Sequence, residues 1–150
     1  MQLLRSIGWQ LIKRQIRIRF PQVKQLSTAA LAAQLQAATP PVLLDTRTEA
    51  EFAVSHLANA RRMDPKTEDF SALPLPIDTP IVAYCSVGYR SARLVDRLQQ
   101  AGYTNVANLD GSIFQWANEG RPVVRNGQPV QQVHPYSQTW GHLLKPNLRA

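Results

Sequence analysis

Apolar residues recur along the chain with two spacings, one of strands and one of helices. Ile81-Val82-Ala83-Tyr84 and Val42-Leu43-Leu44 are short continuous runs, which predict strands covered on both faces. Ala92, Leu94, Val95 and Leu98 sit three and four residues apart and predict a helix ended by Gly102. Asn105-Val106-Ala107-Asn108-Leu109 predicts a further strand, and Val23 to Leu26 a short first one. Ser27 caps a predicted helix through Ala29, Ala30, Leu31 and Leu35. Thr48-Glu49-Ala50-Glu51 forms a capping box, with Thr48 as N-cap and Glu51 reaching back. Ser112-Ile113-Phe114-Gln115 is a second such candidate, opening a short helix that carries Trp116 as a core anchor. Thr39-Pro40-Pro41 is a loop, and Pro65, Pro74, Pro76 and Pro80 leave no room for a long regular element between 61 and 80. Strands alternating with helices predict an α/β domain with a central, mainly parallel sheet flanked by helices.

The first twenty residues follow neither pattern cleanly. Leu3, Leu4, Ile7 and Leu11 have helical spacing, whereas Ile16-Arg17-Ile18-Arg19-Phe20 alternates like a strand. Charge separates this segment from the rest. Residues 1 to 24 hold Arg5, Lys13, Arg14, Arg17, Arg19, Lys24 and no acid, so they carry +6 of the chain's net +7. The remainder is nearly neutral, and no nucleic-acid partner is expected. Basic residues interrupt every apolar run, so neither a membrane span nor a secretory leader is expected. The segment reads either as a surface helix touching anionic lipid or an acidic partner, or as an amphipathic extension packed on the domain. The predicted organisation is a basic amphipathic extension over 1–22, a domain over 23–125 and a polar tail over 126–150. Trp140, Leu143 and Leu144 of that tail are expected to dock back on the domain or the extension. At 150 residues the chain suits one hydrophobic core. Its single cysteine excludes an internal disulfide and fits a reducing compartment, with a cytoplasmic location, peripheral at the membrane if the lipid reading holds.

That cysteine stands between the predicted central strand and the following helix, at the head of Cys85-Ser86-Val87-Gly88-Tyr89-Arg90. A loop leaving a strand and entering a helix can turn successive N–H groups inward as an anion-binding nest, and the helix N-terminus adds further donors. A thiolate, the reactive form of cysteine, suits the base of such a nest. Gly88 supplies the freedom a tight loop needs, and Arg90 a permanent positive charge. Asp45, Arg47 and His56 lie at a neighbouring strand end, where a structural network is favoured and a Cys85–His56 pair stays open. His134 and His142 lie in the tail, and no His/Cys/Asp cluster has metal-ligand spacing.

Cys85, Gly88 and Arg90 match the C-x-x-G-x-R loop of the rhodanese (sulfurtransferase) domain family, which this chain resembles. Upstream, Asp45, Arg47, Glu51-Phe52, His56-Leu57 and Ala60 are similar to the family's D-x-R-x(3)-E-F-x(3)-H-[IL]-x-x-A signature. Downstream, Asn105-Val106, Leu109-Asp110-Gly111-Ser112-Ile113, Trp116 and Gly120-Arg121-Pro122-Val123 follow its C-terminal pattern. The resemblance spans roughly residues 23 to 125. It implies a three-layer rhodanese-like fold with Cys85 as nucleophile and Arg90 as its catalytic partner. Ser86, Val87, Gly88 and Tyr89 form the implied substrate-binding loop, without cofactor or metal. The implied reaction moves sulfane sulfur from a donor such as thiosulfate, through a Cys85 persulfide, to cyanide or to a thiol acceptor, small or on a protein. Thiosulfate-specific members carry a basic residue where this chain has Ser86, and mercaptopyruvate-using members a glycine, so the donor stays open.

Two other classes remain beside this reading. Phosphatases and arsenate reductases use C-x(5)-R, one residue longer than the spacing from Cys85 to Arg90, which disfavours them. A low-turnover sulfur carrier or protein-binding module with the same fold is the stronger alternative.

Overall fold

The computed structural model describes residues 2 to 150. Five strands build one parallel sheet: β1 (Gln25–Leu26), β2 (Val42–Asp45), β3 (Arg61–Arg62), β4 (Ile81–Tyr84) and β5 (Val106–Leu109). Their spatial order is β1-β5-β4-β2-β3, so β4 runs through the middle, with Ile81 in register with both Val42 and Val106. Every residue of β4 and β5 is buried, as the continuous apolar runs require. Flanking the sheet are α1 (Gln2–Arg19), α2 (Thr28–Gln34), α3 (Glu49–Val54), α4 (Tyr89–Gln100) and α5 (Ser112–Asn118). A hairpin, β6 (Val123–Arg125) and β7 (Gln128–Val130), follows, then the short helix α6 (Gln138–Gly141) and a 3₁₀ turn, Pro146–Leu148.

Local chemistry accounts for most element ends. Ser27 accepts a hydrogen bond from Ala30 N at the head of α2, and Thr48 and Glu51 close the capping box on α3. Gly102, at φ 102°, follows the end of α4 in the left-handed conformation that glycine accepts without strain.

Three expectations are corrected. The strand-like alternation of residues 16 to 20 is overridden, because α1 continues to Arg19. Ile12, Ile16 and Phe20, four residues apart, form its buried face, while Ile18 points away at 68% exposure. Lys13 and Arg17 reach Asp110 from the same helix, which fixes that rotation. The first strand is Gln25–Leu26 alone, since Val23 N bonds Phe20 O and closes the turn after α1. Ser112 is not an N-cap: Gly111 takes that place in the left-handed region, and the Ser112 hydroxyl serves the cysteine loop instead. The connection from 61 to 80 also contains β3, an exposed two-residue strand paired to β2.

The extension and the tail both pack on the domain. Asn118 of α5 donates to Leu143 O and accepts from Lys145 N, while Arg5 of α1 donates to His142 O.

Candidate active site

Cys85 follows β4 at the carboxyl edge of the sheet, where the chain order reverses between β2 and β5. In open α/β sheets this crevice receives ligands. The residue is 1% exposed and forms the floor of a cavity of about 140 Å³. Its Sγ accepts from Gly88 N at 3.1 Å and from Ser91 Oγ at 3.4 Å. Gly88 has φ 118°, a backbone state that a side chain would strain. Its carbonyl is held by Asn108 Nδ2 at 3.0 Å.

The loop is oriented from beneath by α5. Ile113 N donates to Cys85 O at 3.1 Å, and Phe114 N to Ser86 O at 3.0 Å. Ser112 Oγ accepts from Cys85 N at 3.2 Å and donates to Leu109 O at 3.0 Å. Two successive carbonyls are thus turned toward α5, while the Gly88 N–H points at the sulfur, a donor of the kind an anion nest uses. Asn108 and Ser112 were not singled out from sequence as parts of the site. Their signal was the position of a polar residue inside an apolar strand and of a serine directly after Gly111.

Glu51 is the electrostatic hub. Arg90 donates to it through both terminal nitrogens, at 2.8 and 2.9 Å, in the bidentate geometry that makes such pairs strong. Ser86 Oγ donates to the same carboxylate at 3.1 Å and accepts from Arg90 at 3.0 Å. Thr48 N completes the set. One carboxylate thus ties α3 to both ends of the cysteine loop. Burial on its own would raise the Glu51 pKa; the hydrogen bonds and charge of Arg90, with Thr48 and Arg47, overcome it and hold the carboxyl at about 2. Burial works against the Arg90 charge, but Glu51, Cys85 and Tyr136 outweigh it and raise the pKa of the guanidinium.

A pH prediction follows from Glu51, whose folded value lies below its ordinary 4.5. Its contribution is fully present above about pH 4.5 and is lost as pH falls toward about 2, on the order of 3 kcal/mol. Acid titration followed by circular dichroism checks this: Glu51→Gln is expected to be less stable at neutral pH and to lose less stability across that window. Parallel curves for the two proteins would contradict the assignment.

Asp45, Arg47 and His56 do not reach the cysteine by hydrogen bonds. Arg47 is clamped on Asp45 through Nε at 3.0 Å and Nη2 at 2.7 Å, and it also donates to Ser55 O at 2.7 Å. Burial lowers the Arg47 pKa, but the Asp45 pair more than reverses this and leaves it raised. Tyr84 accepts from Leu57 N, and burial pushes its phenol well up, so it stays neutral. His56 Nδ1 bonds Phe52 O, and its ring stacks on Phe52 at 3.7 Å. The side-chain hydrogen bonds of these three residues thus tie the end of β2 to the end of α3. Trp116 is buried and donates to Pro122 O, as a core anchor does.

The cavity above Cys85 is lined by Ser86, Val87, Tyr89, Arg90 and two residues of the tail, Tyr136 and Trp140. The Arg90 guanidinium lies 4.7 Å from the centre of the Tyr136 ring, a cation–π distance. Tyr89 packs edge-on against Phe20, linking the loop to the end of α1. Sequence reasoning placed Trp140 against the domain but not over the cysteine, because its partner surface is distant in sequence.

Comparison with known proteins extends this picture. The family model described as "Rhodanese-like domain" matches residues 27–119. A sulfurtransferase from Allochromatium vinosum is 32% identical over 102 residues, covering 68% of this chain and 95% of that protein. Among solved structures, a rhodanese-related protein from Thermoplasma volcanium superposes with TM-score 0.59 at 29% identity, over 67% of this chain and 97% of that one. A rhodanese-like domain protein from Staphylococcus aureus gives TM-score 0.61 at 25% identity, over 70% of this chain and 100% of that one. The family match ends before the hairpin and leaves out α1, Tyr136 and Trp140.

Proposed function

The chain belongs to the rhodanese-like domain family, and on that premise we propose that it transfers sulfane sulfur through a persulfide on Cys85. The Cys85 thiolate attacks the outer sulfur of a donor such as thiosulfate. A new S–S bond forms, the donor's S–S bond breaks, and sulfite leaves with the electron pair. In the second half, cyanide or a thiolate takes the terminal sulfur and the Cys85 thiolate is regenerated. Dividing the transfer into two displacements is the advantage of a covalent intermediate. The observation that carries this reading is the Gly88 N–H on Cys85 Sγ, in a loop whose carbonyls are turned toward α5. Donors fixed in advance on the anionic sulfur stabilise it without reorganisation.

Among the described residues Arg90 is the one cation lining the cavity, and its nitrogens are engaged by Glu51 and Ser86. It acts as a positioning residue that also places positive charge beside the sulfur. Lack of a cation at Ser86 leaves Arg90 to supply the attraction for an anionic donor. Small donors that fit beneath Tyr136 and Trp140 are favoured over bulky ones. A cytoplasmic location, where a lone cysteine stays reduced, belongs to the same reading.

Initial rates with thiosulfate and cyanide test it, read as thiocyanate formed. Parallel double-reciprocal lines are expected, and Cys85→Ser is expected to lose at least 1,000-fold, since the chain has no other thiol. Retained turnover in Cys85→Ser would overturn the proposal. The burial of Cys85 beneath the tail favours a second reading, a slow sulfur carrier or binding module. Ready alkylation of Cys85 with no sulfur loading from any sulfane donor would select it.

A further inference from the structure

Helix α1 has two apolar faces, and the domain uses only one. Ile12, Ile16 and Phe20 are buried against the domain. Ile16 Cδ1 would stand 3.5 Å from a methyl placed on Gly88, so this inner face abuts the cysteine loop. The outer face is different. Leu3, Leu11 and Ile18 are 72%, 63% and 68% exposed, and Leu4 and Ile7 lie exposed beside them. At 3.6 residues per turn these five side chains fall within an arc of about 100°, a ridge that extends roughly 22 Å along the helix, with the exposed Arg14 in the same arc between Leu11 and Ile18. Apolar area so concentrated on one exposed helix face marks an interaction surface.

Charge identifies the partner. Helix α1 contains no acid, and the protein's excess positive charge is concentrated in and just after it. Arg14 lies within the arc of the ridge and Arg19 about 60° to one side of it, both exposed and without an ion-pair partner among the described residues. Two copies joined ridge to ridge would bring these arginines together with no acid on α1 to offset them. A flat, anionic and apolar-backed surface satisfies both features at once: the ridge enters the hydrocarbon boundary while the arginines meet headgroup phosphates. No helix among the described residues is long and apolar enough to cross a membrane, so the contact is along the surface.

We propose that the outer face of α1 docks the protein on anionic membrane surfaces, with the helix lying in the interface plane. Because the inner face holds Ile16 against Gly88 and Phe20 against Tyr89, the docked helix sets the cysteine loop at a fixed orientation to the lipid. This inference stands on α1 alone and does not depend on the sulfur chemistry.

Co-sedimentation of the full chain with vesicles tests it, using phosphatidylcholine alone or mixed with phosphatidylglycerol. Wild type is expected to bind the mixed vesicles at about 0.1 M salt and to bind less at higher salt, as charges are screened. The variant Leu3→Gln/Leu11→Gln/Ile18→Gln is expected to bind at least tenfold more weakly. Its circular dichroism should be unchanged, because all three side chains are exposed. Arg14→Gln/Arg19→Gln is expected to erase the preference for the mixed vesicles. No binding to mixed vesicles, or equal binding by wild type and both variants, would overturn the proposal. So would a wild-type dimer that the leucine variant dissociates while vesicles are ignored, since a second copy would then cover the ridge.

Discussion

Asp45→Ala is expected to destabilise the protein by about 3–5 kcal/mol, the range for stripping one partner from a buried ion pair. Asp45 and Arg47 side chains are both 0% exposed, and the carboxylate takes the Arg47 backbone N–H as well as two guanidinium nitrogens. Arginine cannot shed its proton to escape the loss. Arg47 Nη1 already lacks a hydrogen-bond partner, and without Asp45 the guanidinium would keep only the Ser55 carbonyl as a side-chain hydrogen-bond acceptor. A melting temperature lower by roughly 10 °C or more is the expected reading for a chain of this size. A shift of a degree or two would mean that water or local rearrangement replaces the carboxylate. As this pair ties the end of β2 to the end of α3 and makes no hydrogen bond to Cys85, the activity of the remaining folded protein should change far less than its stability.

Glu51→Gln carries the largest expected effect on turnover outside the cysteine itself. The amide keeps the size of the side chain but removes the charge that pairs with Arg90 and one of the acceptors shared with Ser86 and Thr48. Arg90 and Ser86 would then be free to shift, and both belong to the loop around the sulfur. Displacements of about 1 Å at a reacting group can cost on the order of 100-fold in rate, and that is the fall expected in kcat/KM for sulfur transfer. Steady-state kinetics check it, with alkylation of Cys85 as a companion reading of loop geometry. Undiminished turnover would show that Glu51 serves stability alone.

Much of this arrangement was legible in the sequence because its causes are local. The apolar run before Cys85, the glycine three residues on and the arginine after it mark a strand, a tight loop and a helix entry. The Thr48–Glu51 capping box was equally local, although nothing in its spacing revealed that Glu51 also binds Arg90, 39 residues away. Asn126-Gly127 is a local turn signal as well. Both residues have positive φ, the requirement of the two-residue turn joining β6 and β7. Ile16 to Phe20 misled because alternate and four-residue spacings coincide there, and packing on the domain decided between them. Asn108 and Ser112 showed only an unusual position and not their partners, and Tyr136 and Trp140 gave no local sign of their place over the cysteine. Each depends on a segment brought to the cysteine by the tertiary fold, and neither periodicity nor propensity encodes that meeting.

The most direct test of the account is the intact mass of the protein after incubation with thiosulfate and removal of excess donor. Wild type is expected to gain one sulfur atom, about 32 Da, and to lose it again on addition of cyanide, as a covalent sulfur intermediate requires. Cys85→Ser is expected to gain nothing. An unchanged wild-type mass with thiosulfate and with other sulfane donors, while Cys85 alkylates readily, would contradict persulfide transfer and leave the carrier or binding reading in its place.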